Sequence, residues 1–84
     1  MTVLEAPTRH QIASRVDARG LSCPMPIVRA AQAIKTLTSG VILEVLATDP
    51  GSTKDFAAWC RATGNELLEQ SVDGTVHRFV IRRK

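Results

Sequence analysis

The sequence predicts an α+β two-layer sandwich of β-α-β-α-β-β order, with a four-stranded mixed sheet carrying two helices on one face. Three observations lead there. Two stretches of helical apolar spacing alternate with runs rich in β-branched residues. An Asp73-Gly74 dipeptide near the C-terminus marks a tight hairpin between the last two such runs. A chain of 84 residues can bury one modest core and no more.

Residues 1–12 have no clean periodicity and contain Pro7, so they are expected to form a flexible N-terminal extension before a domain spanning residues 13–84. The first strand is expected around residues 14–18, stopped by Gly20. From Ile27 the apolar positions are Ile27, Ala30, Ala31, Ile34 and Leu37, the i, i+3, i+4, i+7 spacing of a helix with one buried face. Arg29, Gln32, Lys35 and Thr36 fall on the other side, and Ser39-Gly40 is the expected stop. Residues 41–47, VILEVLA, read as a central strand. Asp49 before Pro50 suits an N-cap with proline at the first helical position, and Ser52 with Asp55 offers a capping box as the alternative start. The second helix then presents Phe56, Trp59, Cys60 and Thr63 on one face and ends at Gly64. Residues 66–72 and 75–83 are the closing strands.

Composition narrows the function. Hydrophobic residues make up 44% and charged residues 23%, an ordinary balance for a globular domain, and aromatics at 4% leave an aliphatic core. No apolar run is long enough to span a membrane, and the N-terminus has an early Glu5 and no apolar signal core. A cytoplasmic, reducing compartment is expected. Cys23 and Cys60 form no Cys-x-x-Cys pair, and His10 and His77 are isolated, so no metal site and no cofactor is expected. The net charge of +3 comes largely from the C-terminal residues and from Arg19 and Arg29 around the cysteine segment. That excess is either a solvated face or an attraction for an acidic partner.

The segment GLSCPMP, residues 20–26, carries the chemistry. Cys23 stands at or just before the first turn of the first helix, where free N–H groups and the positive end of the helix dipole favour an anion. Both effects are expected to lower the thiol pKa. Pro24 and Pro26 stiffen the helix start, Met25 before a proline is biased away from helical angles, and Gly20 gives freedom or close approach. The competing reading is an inert Cys23 packed inward. No general base lies near it in sequence.

With that segment in view, V-D-A-R-G-L-S-C-P-M-P resembles the signature of the TusA (SirA-like) family of small sulfur carriers, marked by a C-P-x-P motif at the first helix. L-A-T-D-P-G-S-T-K-D-F resembles the family's passage from second strand to second helix. W-C-R-A-T-G-N-E-L-L matches the second helix and the turn after it, so residues 14–83 fit the pattern. The resemblance implies that Cys23 accepts sulfane sulfur as a persulfide and relays it to a cysteine of another protein. It implies a persulfide carrier of sulfurtransferase type, not a self-sufficient enzyme. Its implied donors are a cysteine desulfurase or a rhodanese-like protein, and its acceptor is another sulfur-relay protein, for tRNA thiolation, cofactor biosynthesis or dissimilatory sulfur oxidation.

Cys60 reads as core, with a disulfide or trisulfide to Cys23 as its alternative. Asp17 reads as a strand residue facing solvent or bracing the Gly20 loop; Asp49 and Asp55 read as helix-start features. Arg19, Met25, Arg29 and Lys54 are expected to form a docking rim, with plain surface as the alternative for each. Two other function classes remain. A basic regulatory or nucleic-acid-binding domain is disfavoured by the absence of tyrosine and by Phe79 being the only strand aromatic, so direct nucleic-acid binding is not expected. A thiol redox protein would want a resolving cysteine close to Cys23.

Overall fold

The computed structural model describes residues 11–84. The element order is β1 (Ile12–Ala18), α1 (Met25–Ile34), β2 (Ile42–Ala47), α2 (Ser52–Thr63), β3 (Glu66–Asp73) and β4 (Val76–Arg82). The strands lie in the order β1-β2-β4-β3; β1 runs parallel to β2, and the other pairings are antiparallel. The predicted fold class is therefore the one observed. Of the expected N-terminal extension, residues 1–10, His10 included, lie outside the described residues, and Ile12 is already paired with Ile42.

Alternation along the central strands decides which face the helices cover. Leu43, Val45 and Ala47 on β2 and Phe79 and Ile81 on β4 point to one side, where they meet Ala30 and Ile34 of α1 and Phe56 and Cys60 of α2. The Phe56 ring stacks on Phe79 with centroids 4.5 Å apart and meets Trp59 edge-on. A register shift between Leu67 and Glu69 turns Leu67 to the helices and Glu69 to the other face, where it accepts from Arg78.

That other face is organised by Glu44, a nearly buried carboxylate in the central strand. Burial pushes its pKa up, but Arg78 and Arg15, each donating to one carboxylate oxygen, more than reverse this and hold it below the usual range. Arg82 pairs with Glu66, and Arg83 donates to the Leu37 carbonyl. Arg78, Arg82 and Arg83, among the C-terminal cations that give the chain its basic balance, are thus engaged within the fold.

Four boundaries differ from the sequence expectation. Helix α1 starts at Met25, since Pro26 fits a first turn, where an N–H has no partner to lose. It also stops at Ile34, before Ser39-Gly40. Thr36 and Leu37 donate to carbonyls three residues back, which tightens the chain out of α-helical geometry while Leu37 still packs on the core. Helix α2 starts at Ser52 behind Gly51, with no side-chain cap: neither the Asp49-Pro50 start nor the Ser52/Asp55 capping box forms. Asp49 instead accepts from the Gly51 N–H at 3.0 Å, and the Ser52 hydroxyl is buried without a partner. Thr63 is exposed, with its hydroxyl donating to the Trp59 carbonyl, so it leaves the core face. The hairpin turn is Gly74-Thr75, because Asp73 still pairs with Val76.

Candidate functional site

The site is built where the C-terminal ends of β1 and β2 hand the chain to the two helices. After Ala18 the backbone turns at Gly20, whose φ of +82° lies in the left-handed region, and whose N–H donates to Thr48 Oγ1 at the end of β2. A side chain at Gly20 would meet no neighbour within 4 Å, so the glycine is there for its backbone angle and not for close approach. Leu21 and Ser22 then lead to Cys23, which is exposed, with Pro24 in the cap position of α1. The Cys23–Pro24 peptide bond is cis. Pro26 is buried and Met25 is 39% exposed, one of two large exposed hydrophobics among the described residues. The inward-packed reading of Cys23 is excluded by its exposure.

The electrostatics of the thiol run opposite to the sequence expectation. The Cys23 pKa is raised, first by a hydrogen bond to the Asp55 carboxylate, then by desolvation and by the charges of Asp55 and Asp49. The helix start offers little to oppose this. Pro24 and Pro26 have no N–H, and the Met25 N–H is already spent on the Ser22 carbonyl at 2.8 Å. The prolines that shape the helix start thus also strip it of the donors that would stabilise a thiolate.

Asp55 and Asp49 are the residues that sequence reasoning set aside. They are 32 and 26 positions from Cys23, and the packing of α2 against α1 lets their charges bear on the thiol. Both converge on Gly51: a Cβ built there would lie 3.1 Å from Asp49 Oδ2 and 3.7 Å from Asp55 Oδ2. A signal for them lies in the element order, because two successive β-α units with parallel strands set both helix starts at one edge of the sheet.

Cys60 is 4% exposed on the core face of α2, and burial pushes its thiol up to about 11. Among the rim residues, Arg19, Met25, Arg29 and Lys54 are all exposed. Arg19, however, is turned back on its own strand. It donates to Asp17 through Nε (2.8 Å), Nη2 (2.9 Å) and its backbone N–H (3.2 Å). That fork lowers Asp17 from 3.8 to about 2. The charge pair is present above this range and is lost as pH falls through it. Arg19→Ala should return the Asp17 titration, followed by carboxyl NMR, to near 3.8 without moving the melting point, because both groups are open to water.

Among the described residues, no group of three or more His, Cys, Asp or Glu side chains could hold a metal ion, and no helix is long and apolar enough to cross a membrane. His77 lies with its Nδ1 3.4 Å from the Thr53 hydroxyl.

Comparison with known proteins agrees with this architecture. A family model described as sulfurtransferase TusA matches residues 14–83. The sulfur carrier protein TusA of Allochromatium vinosum is 48% identical over 68 residues, covering 81% of this chain and 90% of that protein. That of Pseudomonas putida is 39% identical over 69 residues, covering 82% and 86%. The crystal structure of a SirA-like protein from Desulfitobacterium hafniense superposes with a TM-score of 0.73 at 27% identity, covering 82% of this chain and 95% of the other.

Proposed function

The chain belongs to the TusA family of sulfur carriers, and from that premise we propose that Cys23 is the residue that carries the sulfur. The observation behind this reading is the contrast between the two thiols: Cys23 is exposed at the start of α1, whereas Cys60 is buried in the core. Transfer onto Cys23 is a thiol–persulfide exchange. The Cys23 sulfur bonds to the terminal sulfur of a donor persulfide, the donor's S–S bond breaks, and the donor leaves as a thiol. Thiol and perthiol exchange one proton for another, and no external oxidant is needed. Discharge to an acceptor cysteine is the same step in reverse roles.

The donor in this reading is a cysteine desulfurase or a rhodanese-like protein, and the acceptor a cysteine of a further relay protein. Gly20 sets the loop, Pro24 and Pro26 fix the helix start, and Met25 offers an apolar contact beside the sulfur. Arg29 and Lys54 supply the free charges of the docking rim, and Arg19 contributes less because its fork is occupied by Asp17. The sulfur could serve tRNA thiolation, cofactor synthesis or sulfur oxidation.

The test is an intact mass spectrum of the reduced protein after incubation with a cysteine desulfurase and cysteine, or with a small sulfane donor. The expected result is a gain of one sulfur atom that reductant removes. If no donor adds sulfur while nucleic acid binds tightly and with strong salt dependence, the basic-domain alternative replaces this reading. Formation of a Cys23–Cys60 disulfide under the same conditions, in place of sulfur gain, would instead favour the thiol redox alternative.

A further inference from the structure

We propose that Thr48, the residue that follows β2, is a positioning residue for Cys23: its hydroxyl holds the loop that carries the sulfur and so fixes how a partner protein's sulfur meets it. The inference rests on the reading of Cys23 as the sulfur carrier and adds to that site a residue from another strand.

The base of the site is a pair of strand ends. Ala18 and Ala47, the last residues of β1 and β2, are paired in register and both fully buried. Beyond them the two segments part, each toward its own helix. The segment after β1 turns at Gly20, and there Thr48 Oγ1 accepts the Gly20 N–H at 2.9 Å. Other backbone bonds of this loop are local: the Leu21 N–H donates to the Ala18 carbonyl at 3.2 Å, and the Met25 N–H to the Ser22 carbonyl at 2.8 Å. The Thr48 bond instead crosses to the neighbouring strand. Asp49, the next residue, does the same service for α2. Its carboxylate accepts the Gly51 N–H and its carbonyl the Ser52 N–H, each at 3.0 Å. Two consecutive residues at one strand end thus hold the approaches to both helices.

In the exchange, the Cys23 sulfur bonds to the terminal sulfur of the donor persulfide, the donor's S–S bond breaks, and the donor leaves as a thiol. The three sulfurs must lie near a line as this happens. A small sulfane donor finds that line by its own tumbling. A persulfide on a docked protein cannot, so alignment comes from the two protein frames, and a small displacement of the loop slows the step. Gly20 is exposed, so without the Thr48 hydroxyl its N–H would turn to water. The fold would lose little, and the loop would lose its fixed place.

The test compares the parent with Thr48→Val, which keeps the shape and removes the acceptor, and with Thr48→Ser, which keeps the acceptor. Backbone NMR relaxation is measured at residues 20–23. Loading rates are measured with inorganic polysulfide and with a protein donor, either a cysteine desulfurase with cysteine or a rhodanese with thiosulfate. Thr48→Val should loosen residues 20–23 and slow protein-donor loading roughly tenfold at saturating carrier, with KM for the carrier little changed, while polysulfide loading falls by less than about twofold. Its melting point should stay within a few degrees of the parent's, and Thr48→Ser should restore the parent's rates. A Thr48→Val protein whose loop order or protein-donor rate matches the parent's overturns the proposal. So does equal slowing with both kinds of donor, which marks general damage to the site, or a Thr48→Ser protein as slow as Thr48→Val. A parent loaded by polysulfide but by neither protein donor overturns it too, since no protein-held persulfide is then being aligned. A parent that gains sulfur from no donor sinks the carrier reading itself, and a loosened loop in Thr48→Val would then leave only the hydrogen bond standing.

Discussion

Cys23→Ser should abolish sulfur loading altogether, while Cys60→Ala should load like the parent. The first half follows from chemistry. A serine hydroxyl has no accessible anion near neutral pH and forms no bond to sulfane sulfur under conditions that load a thiol, so no residual activity is expected from the site. Because Cys23 is exposed, the substitution should leave stability within about 0.5 kcal/mol. Loss of loading can then be read as loss of the reacting atom. The second half follows from burial. With a thiol at about 11, Cys60 would be ionised at neutral pH to only about one part in ten thousand, and the residue is 4% exposed. Alanine is the better probe there, because serine would leave a hydroxyl in an apolar core. The measurement is the mass gain per chain with one donor at fixed time. A Cys23→Ser protein that still takes up sulfur, or a Cys60→Ala protein that does not, would move the carrying role to the core cysteine and dismiss the present assignment.

The parts of this molecule legible in the sequence are those that local physics dictates. The apolar run rich in β-branched residues at 41–47 defines a central strand, and the 3.6-residue spacing after Pro26 defines α1. The family pattern around Cys23 then adds what periodicity alone leaves open. Helix ends were read less well, for a reason each time. A buried stripe continues past the end of α1 because Leu37 still touches the core after the backbone has tightened. Ser52 and Asp55 have the spacing of a capping box, yet the serine hydroxyl is buried without a partner and the aspartate charge bears on Cys23.

The thiol's electrostatics run against its own helix start for a related reason. The expectation took account of the helix to which Cys23 is attached and of the dipole at its start. The deciding charges stand on the other helix, and their proximity is a property of packing that no local window contains. Prolines in the first turn compound the error, since they suit a helix start while removing the N–H groups through which the start would act. The basic balance of the chain misleads in the same way: Arg15, Arg78, Arg82 and Arg83 look available in one dimension and are held by Glu44, Glu69, Glu66 and a carbonyl in three.

Phe56→Ala should be the most damaging single substitution in the core, costing about 3–5 kcal/mol. The ring is fully buried, stacked at 4.5 Å and 23° on Phe79, and met edge-on by Trp59 at 6.0 Å, so its removal opens a cavity and breaks both aromatic contacts. A domain of this size holds only about 5–15 kcal/mol in total, and each kcal/mol is worth roughly 4–8 °C in melting point. A fall of more than about 10 °C is therefore expected by calorimetry. Phe56→Leu keeps an apolar group in the same place and should cost much less, about 1–2 kcal/mol. A loss below about 1 kcal/mol in the alanine variant would mean that α2 is anchored elsewhere.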